Sequence, residues 1–167
     1  EFTIYVRDEY GAWDAKQVSV TVHGTNDAPV ISNVSPLAVT ESGVTAVSST
    51  NSNGNEIFTG ILSAKGQITA RDVDADDKLT YSIISVDGTG ATKGMTQVEG
   101  ITAKNPHVVD STSYDAAYKV TTGTLYLNTG NGKYVFELDD AAAEHLNQGD
   151  TRAVSFSIRV SDSTVSV

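Results

Sequence analysis

A two-residue alternation of apolar and polar side chains constrains this chain more than any other feature. It places Phe2, Ile4 and Val6, then Val18, Val20 and Val22, and near the other end Phe156, Ile158 and Val160 on single faces of extended segments. A period of two belongs to β-strands, and each such strand is expected to bury one face. Leu125 and Leu127 precede a Gly130-Asn131-Gly132 turn and Tyr134, Phe136 and Leu138 follow it, which predicts a β-hairpin. Further strands are expected at residues 30–34, 57–62, 68–70, 79–84 and 118–121. Only "LDDAAAEHLNQGD" reads as helical, for one to three turns, with Asp139 or Asp140 as N-cap and Gly149 as the stop. Residues 48–56 and 86–94, rich in Gly, Ser, Thr and Asn, are expected as loops. The predicted class is all-β, an antiparallel β-sandwich with long loops and one short helical turn.

The first and last alternating segments echo each other. "FTIYVRD" at residues 2–8 and "FSIRVSD" at 156–162 share Phe, Ile, Val and Asp at four of seven positions. Strands favour few residue types, so a short echo arises by chance often enough to matter. The alternative is a tandem repeat cut out of register: residues 1–25 as the last strands of one unit, 26–29 as a linker, and 30–167 as the next unit. In that unit either the final strand is truncated or "TVSV" at 164–167 begins the equivalent of "QVSVTV". With no initiator Met and an immediate strand, the chain reads as a piece of something longer.

Charge narrows the partners. Eleven basic residues against 21 acidic ones give a net charge of −10, which disfavours nucleic acid and anionic membranes and favours cations. With no cysteine there is no disulfide, thiol nucleophile or Cys-zinc site, and the chain is indifferent to redox compartment. No apolar run approaches the roughly 18 residues of a membrane span.

The acidic residues are not evenly spread. "ARDVDADDKL" holds four aspartates in the six positions 72–77, and Asp72, Asp74 and Asp76 alternate. Such carboxylates repel one another until a cation reverses the sign of the interaction, and Ca²⁺ takes six to eight oxygens at about 2.3–2.6 Å. An EF-hand is excluded. Counting from Asp72, position 6 is Asp77 rather than Gly and position 12 is Ile83 rather than Glu, and a strand follows instead of a helix. The Gly-Gly-x-Gly-x-Asp calcium repeat of β-rolls is also absent. Solvated turn surface remains the alternative for these aspartates.

"VTVHGTNDAPVI" at residues 20–31 resembles the junction between units in bacterial VCBS and cadherin-like repeat proteins. Residues 122–163, with a hairpin, an Asp-Ala-Ala turn, a Gly-acid-Thr step and a long strand, resemble the C-terminal half of a VCBS unit. With "ITARDVDADDKLTYSI" the likeness covers about two thirds of the chain, leaving residues 86–118 unmatched. It implies an Ig-like or cadherin-like sandwich serving as a spacer in very large secreted or surface-attached bacterial proteins, commonly adhesins exported by type I secretion. Its partners would be adjacent repeats of the same chain, with Ca²⁺ at the junctions. Carried over, it implies Asp72 and Asp74 from the loop and Asn26 and Asp27 from the linker as ligands, with Asp8 and Glu41 as weaker candidates. Asp162 would serve the following junction. Asn26 and Asp27 are equally explained by turn chemistry.

Other functions find less. His23, His107 and His145 are scattered, no His-Glu-x-x-His or Gly-x-Ser-x-Gly motif occurs, and helix capping accounts for Asp139 and Asp140, so no catalysis is expected in this segment. The competing reading is a carbohydrate- or protein-binding module of an extracellular enzyme or adhesin, in which exposed Trp13 or Tyr10 stacks on a sugar ring. Against it, "EYGAWDAK" reads as a hairpin turn whose Trp packs on a neighbouring unit.

Overall fold

A computed structural model describes residues 1–45, 56–58, 60–74, 76–86 and 96–162. Its elements are β1 (Phe2–Arg7), β2 (Trp13–Val18), β3 (Val30–Val34), β4 (Gly43–Thr45), β5 (Glu56–Phe58), β6 (Ser63–Arg71) and β7 (Thr80–Val86). There follow β8 (Thr96–Gln97), β9 (His107–Val109), β10 (Thr112–Tyr114), β11 (Ala116–Val120), β12 (Gly123–Leu127), β13 (Lys133–Leu138), α1 (Asp140–Ala143) and β14 (Phe156–Ser161). The expected loops at 48–56 and 86–94, but for Glu56 and Val86 at their ends, lie outside the described residues, as does the 164–167 segment.

The larger layer is a six-stranded antiparallel sheet in the order β3-β6-β13-β12-β11-β8, and the smaller is the antiparallel pair β7-β14. Inward residues of both layers share one core, with Tyr81 and Ile83 of β7 meeting Ile68, Leu125, Leu127, Tyr134 and Phe136. Phe156, Ile158 and Val160 of β14 pack against it. The fold is therefore an all-β antiparallel sandwich. Leu127 and Val135 are fully buried, and each such side chain contributes about 1.5–3 kcal/mol.

The hairpin around Gly130-Asn131-Gly132 forms with Leu127 opposite Tyr134. Asn128 Oδ1 accepts the Gly130 and Asn131 N–H groups at 3.0 and 2.9 Å, and Gly132 adopts φ +72°. A Cβ at Gly132 would lie 2.8 Å from the Ile68 carbonyl, so close approach as well as positive φ selects glycine. The helical segment is shorter than its 13-residue pattern suggested: α1 is one turn, with the Asp139 side chain accepting from the Ala142 N–H. The turn Asn147–Asp150 replaces further helix, because Asp150 accepts both the backbone and side-chain N–H of Asn147. Those two bonds, the backbone one foremost, hold the Asp150 carboxyl below its usual value.

Strands β8, β9 and β10 lie in the stretch that matched no pattern. The β9-β10 hairpin covers the outer face of the large sheet: the His107 ring stacks on Tyr126 at 3.8 Å, its Nε2 lies 3.0 Å from Glu137 Oε1, and Lys65 pairs with Asp110. This cover explains why β11 is buried at four of five positions instead of alternating.

Two expectations about the first 25 residues are corrected. β1 pairs with β2 in the register Phe2↔Val18 to Arg7↔Trp13, but it buries neither face: Phe2 is 65% exposed, Ile4 55% and Val6 67%. The hairpin has no second layer among the described residues. The strand expected through Val18, Val20 and Val22 stops at Val18, since no strand lies opposite Val20 and Val22 to accept their backbone hydrogen bonds.

Candidate metal centre

Strand register alone brings three distant segments to one end of the sandwich. Val30 pairs with Arg71, which sets the linker 26–29 beside the start of the acidic loop. Ser161 pairs with Thr80, which sets Asp162 beside the loop's far end. The loop is curled, not extended: Asp72 Oδ1 accepts the Asp74 N–H at 3.0 Å, and the Asp77 N–H donates to the Asp74 carbonyl at 3.3 Å.

Curling decides which carboxylates meet. Asp72, Asp74 and Asp77 each offer an oxygen within 4.8 Å of the other two, and all three residues are partly buried. Asp76, chosen from the alternation, is exposed and stands outside this group. Spacing of two is the rule for an extended chain, whereas a turn brings i and i+3 together. The signal for Asp77 was thus the loop itself.

The linker docks on the same loop. The Asp27 N–H donates to Asp74 Oδ2 at 2.8 Å, and Asn26 Nδ2 donates to Asp162 Oδ2 at 3.0 Å. Asp162, which the resemblance allotted to a following junction, lies beside the linker at this end. Its position follows from the echo with Asp8, since both residues directly follow the alternating strand.

The remaining candidates lie elsewhere. Asp8 Oδ1 accepts the Tyr10 and Ala12 N–H groups at 3.0 and 2.9 Å, closing the β1-β2 turn, and it is not among the clustered acids. Glu41 also stands outside the cluster, and its buried Oε2 has no hydrogen-bond partner. Ser42, next to it, donates through its N–H at 2.8 Å and through its hydroxyl to Asp140, tying the segment before β4 to α1. These bonds, the side-chain one first, hold the Asp140 carboxyl below its usual value.

The donor set fits a hard cation. It is all carboxylate oxygen, and Asp72 Oδ2 is buried without a hydrogen-bond partner, an arrangement that costs free energy unless a positive charge offsets it. Three carboxylates fall short of six to eight oxygens, so backbone carbonyls, water or a neighbouring segment would complete the shell. No family model, no curated protein and no solved structure matches the chain.

Proposed function

We propose that this chain is a calcium-associated structural repeat of an extracellular bacterial protein, in which a cation at one end of the sandwich fixes the angle of the preceding segment. The supporting observation is the contact between the Asp27 N–H and Asp74 Oδ2, which ties the linker to a carboxylate of the acidic cluster. A cation held by Asp72, Asp74 and Asp77 would neutralise their mutual repulsion and leave Asp74 free to keep its bond to the linker. Asn26 and Asp162 add a second tie between the same two segments. The role is mechanical: binding energy at the cluster is converted into a stiffer connection between the hairpin and the sandwich.

An affinity of about 10⁻⁴–10⁻³ M would suit extracellular calcium. Titration followed by melting temperature and small-angle scattering tests site and stiffness together. Calcium is expected to raise the melting temperature and narrow the distribution of molecular dimensions, and EDTA to reverse both. Asp72→Asn with Asp74→Asn should abolish both responses, whereas Asp76→Asn should preserve them. A response that survives the double substitution would move the site elsewhere.

A second reading, sugar binding by the hairpin, has its own observation: Trp13 is 69% exposed and Tyr10 89%. Binding on a glycan array that disappears in Trp13→Ala would favour it.

A further inference from the structure

The echo between β1 and β14 carries a consequence for assembly. Among the described residues β14 pairs only with β7, so its other edge presents unpaired backbone groups. The edge borders a cleft of about 1650 Å³ lined by apolar side chains, among them Leu37, Val39, Val154, Phe156 and Ile158. β1, which shares the Phe-x-Ile-x-Val-x-Asp pattern of β14, shows which strand that pattern accepts: β2, antiparallel, with Phe2 opposite Val18.

The geometry points to the segment Asp14–Val22 of a second copy as the strand that occupies the free edge of β14. Transferring the β1 register places Val18 opposite Phe156, and continuing it places Val20 opposite Val154 and Val22 opposite Arg152. In their own hairpin Val20 and Val22 have no strand opposite them and are 63% and 87% exposed. Against β14 their backbone groups find partners, and Val18 and Val20 continue the apolar row that borders the cleft. The gain is a longer ladder and a covered apolar row, neither of which the β1-β2 hairpin provides.

The same copy cannot supply this strand. Asn26 is held at Asp162, at the far end of β14. With Val22 opposite Arg152, ten residues of strand, about 33 Å, separate Val22 from Asp162. The four residues from Val22 to Asn26 reach at most about 14 Å. The donor is therefore another molecule. Because donor and acceptor surfaces differ, the contact is head-to-tail and propagates beyond a dimer unless the rotation closes a ring.

The absence of native cysteine makes the register testable in the full 167-residue chain. Gln17→Cys mixed with Ser157→Cys under mild oxidation should give a disulfide-linked heterodimer, at least tenfold more than Trp13→Cys mixed with Ser157→Cys, four residues out of register. Sedimentation should show concentration-dependent dimers and larger species, in EDTA as well as in calcium, since the ladder needs no metal. Val20→Asp with Val22→Asp alters two exposed side chains and should remove both the assembly and the cross-link while leaving the far-ultraviolet spectrum and the melting temperature of the monomer unchanged. A monomer at all concentrations, equal cross-linking out of register, or assembly that survives the double substitution would overturn the inference.

Discussion

Strands β1 and β14 are near copies in sequence and opposites in environment. β1 is exposed at all six positions, whereas β14 is partly buried at five of six and its Phe156 ring packs 6.4 Å from Phe136. Alternation therefore specifies an extended backbone and a face that can be buried, but not what buries it. β14 has β7 beside it and the large sheet beneath it; β1 has only β2. A strand pattern is a half-statement until a second layer completes it.

The contrast breaks most sharply if one substitution is made at the two equivalent positions. Ile158→Asp puts a carboxylate beside the core and is expected to destabilise the sandwich by about 3 kcal/mol or more, while Ile4→Asp, on a 55% exposed side chain, should stay within about 0.5 kcal/mol. Urea denaturation of both variants measures the difference. Equal effects would mean that β1 is buried in solution.

Glycines sharpen the same contrast at a smaller scale. A Cβ at Gly66 would come within 2.5 Å of the Tyr134 ring, whose hydroxyl donates to the Ser35 carbonyl, so the ring cannot withdraw without losing that bond. Gly66→Ala is expected to cost about 1–3 kcal/mol by overpacking. Nothing lies within 4 Å of a Cβ at Gly24, in the segment between β2 and the linker, and Gly24→Ala should change thermal stability by no more than about 0.5 kcal/mol.

How much of this was legible before the structure depends on the length scale of each signal. The Gly130-Asn131-Gly132 hairpin was legible because turn and strands are local and agree. The two-layer sandwich was legible as a class, because alternation everywhere leaves few other ways to bury the apolar faces. The exposure of β1 was not, since it depends on which layers exist beyond its own hairpin. The acidic loop was legible as a cation site in kind but not in membership: Asp77 replaces Asp76 because the loop curls, and Asp162 joins the linker through a strand register set some 80 residues away. The β9-β10 cover carried too little periodicity over three-residue strands to be read at all.

Calcium should act on the seam between the two regions, with an effect smaller than either substitution series at its upper end. At tenfold excess over the dissociation constant, a ligand bound only by the native state contributes about 1.4 kcal/mol. For a chain of this size that corresponds to a rise of about 3–6 °C in melting temperature. Asp77→Asn should diminish the rise and Asp76→Asn should not, which separates the curled geometry from the alternating one. Differential scanning calorimetry with and without EDTA decides between them.

The effect least visible under ordinary conditions is confined to alkaline pH and to the sandwich. Burial pushes Tyr114, Tyr118, Tyr126 and Tyr134 above the usual tyrosine value of 10.0. A raised phenol pKa means that the unfolded chain loses these protons first as pH rises. The stability they contribute is therefore fully present below pH 10 and declines through the interval between the unfolded and the higher native values. Urea denaturation repeated from pH 8 to 12 should show a stability flat to about pH 9.5 and falling beyond it, with Tyr126→Phe removing part of the slope. All four phenols belong to the sandwich, so cross-strand contacts of the β1-β2 hairpin, followed by nuclear Overhauser effects, should not track that decline. A hairpin that melts in step with the tyrosine titration would show that the two regions share one cooperative core.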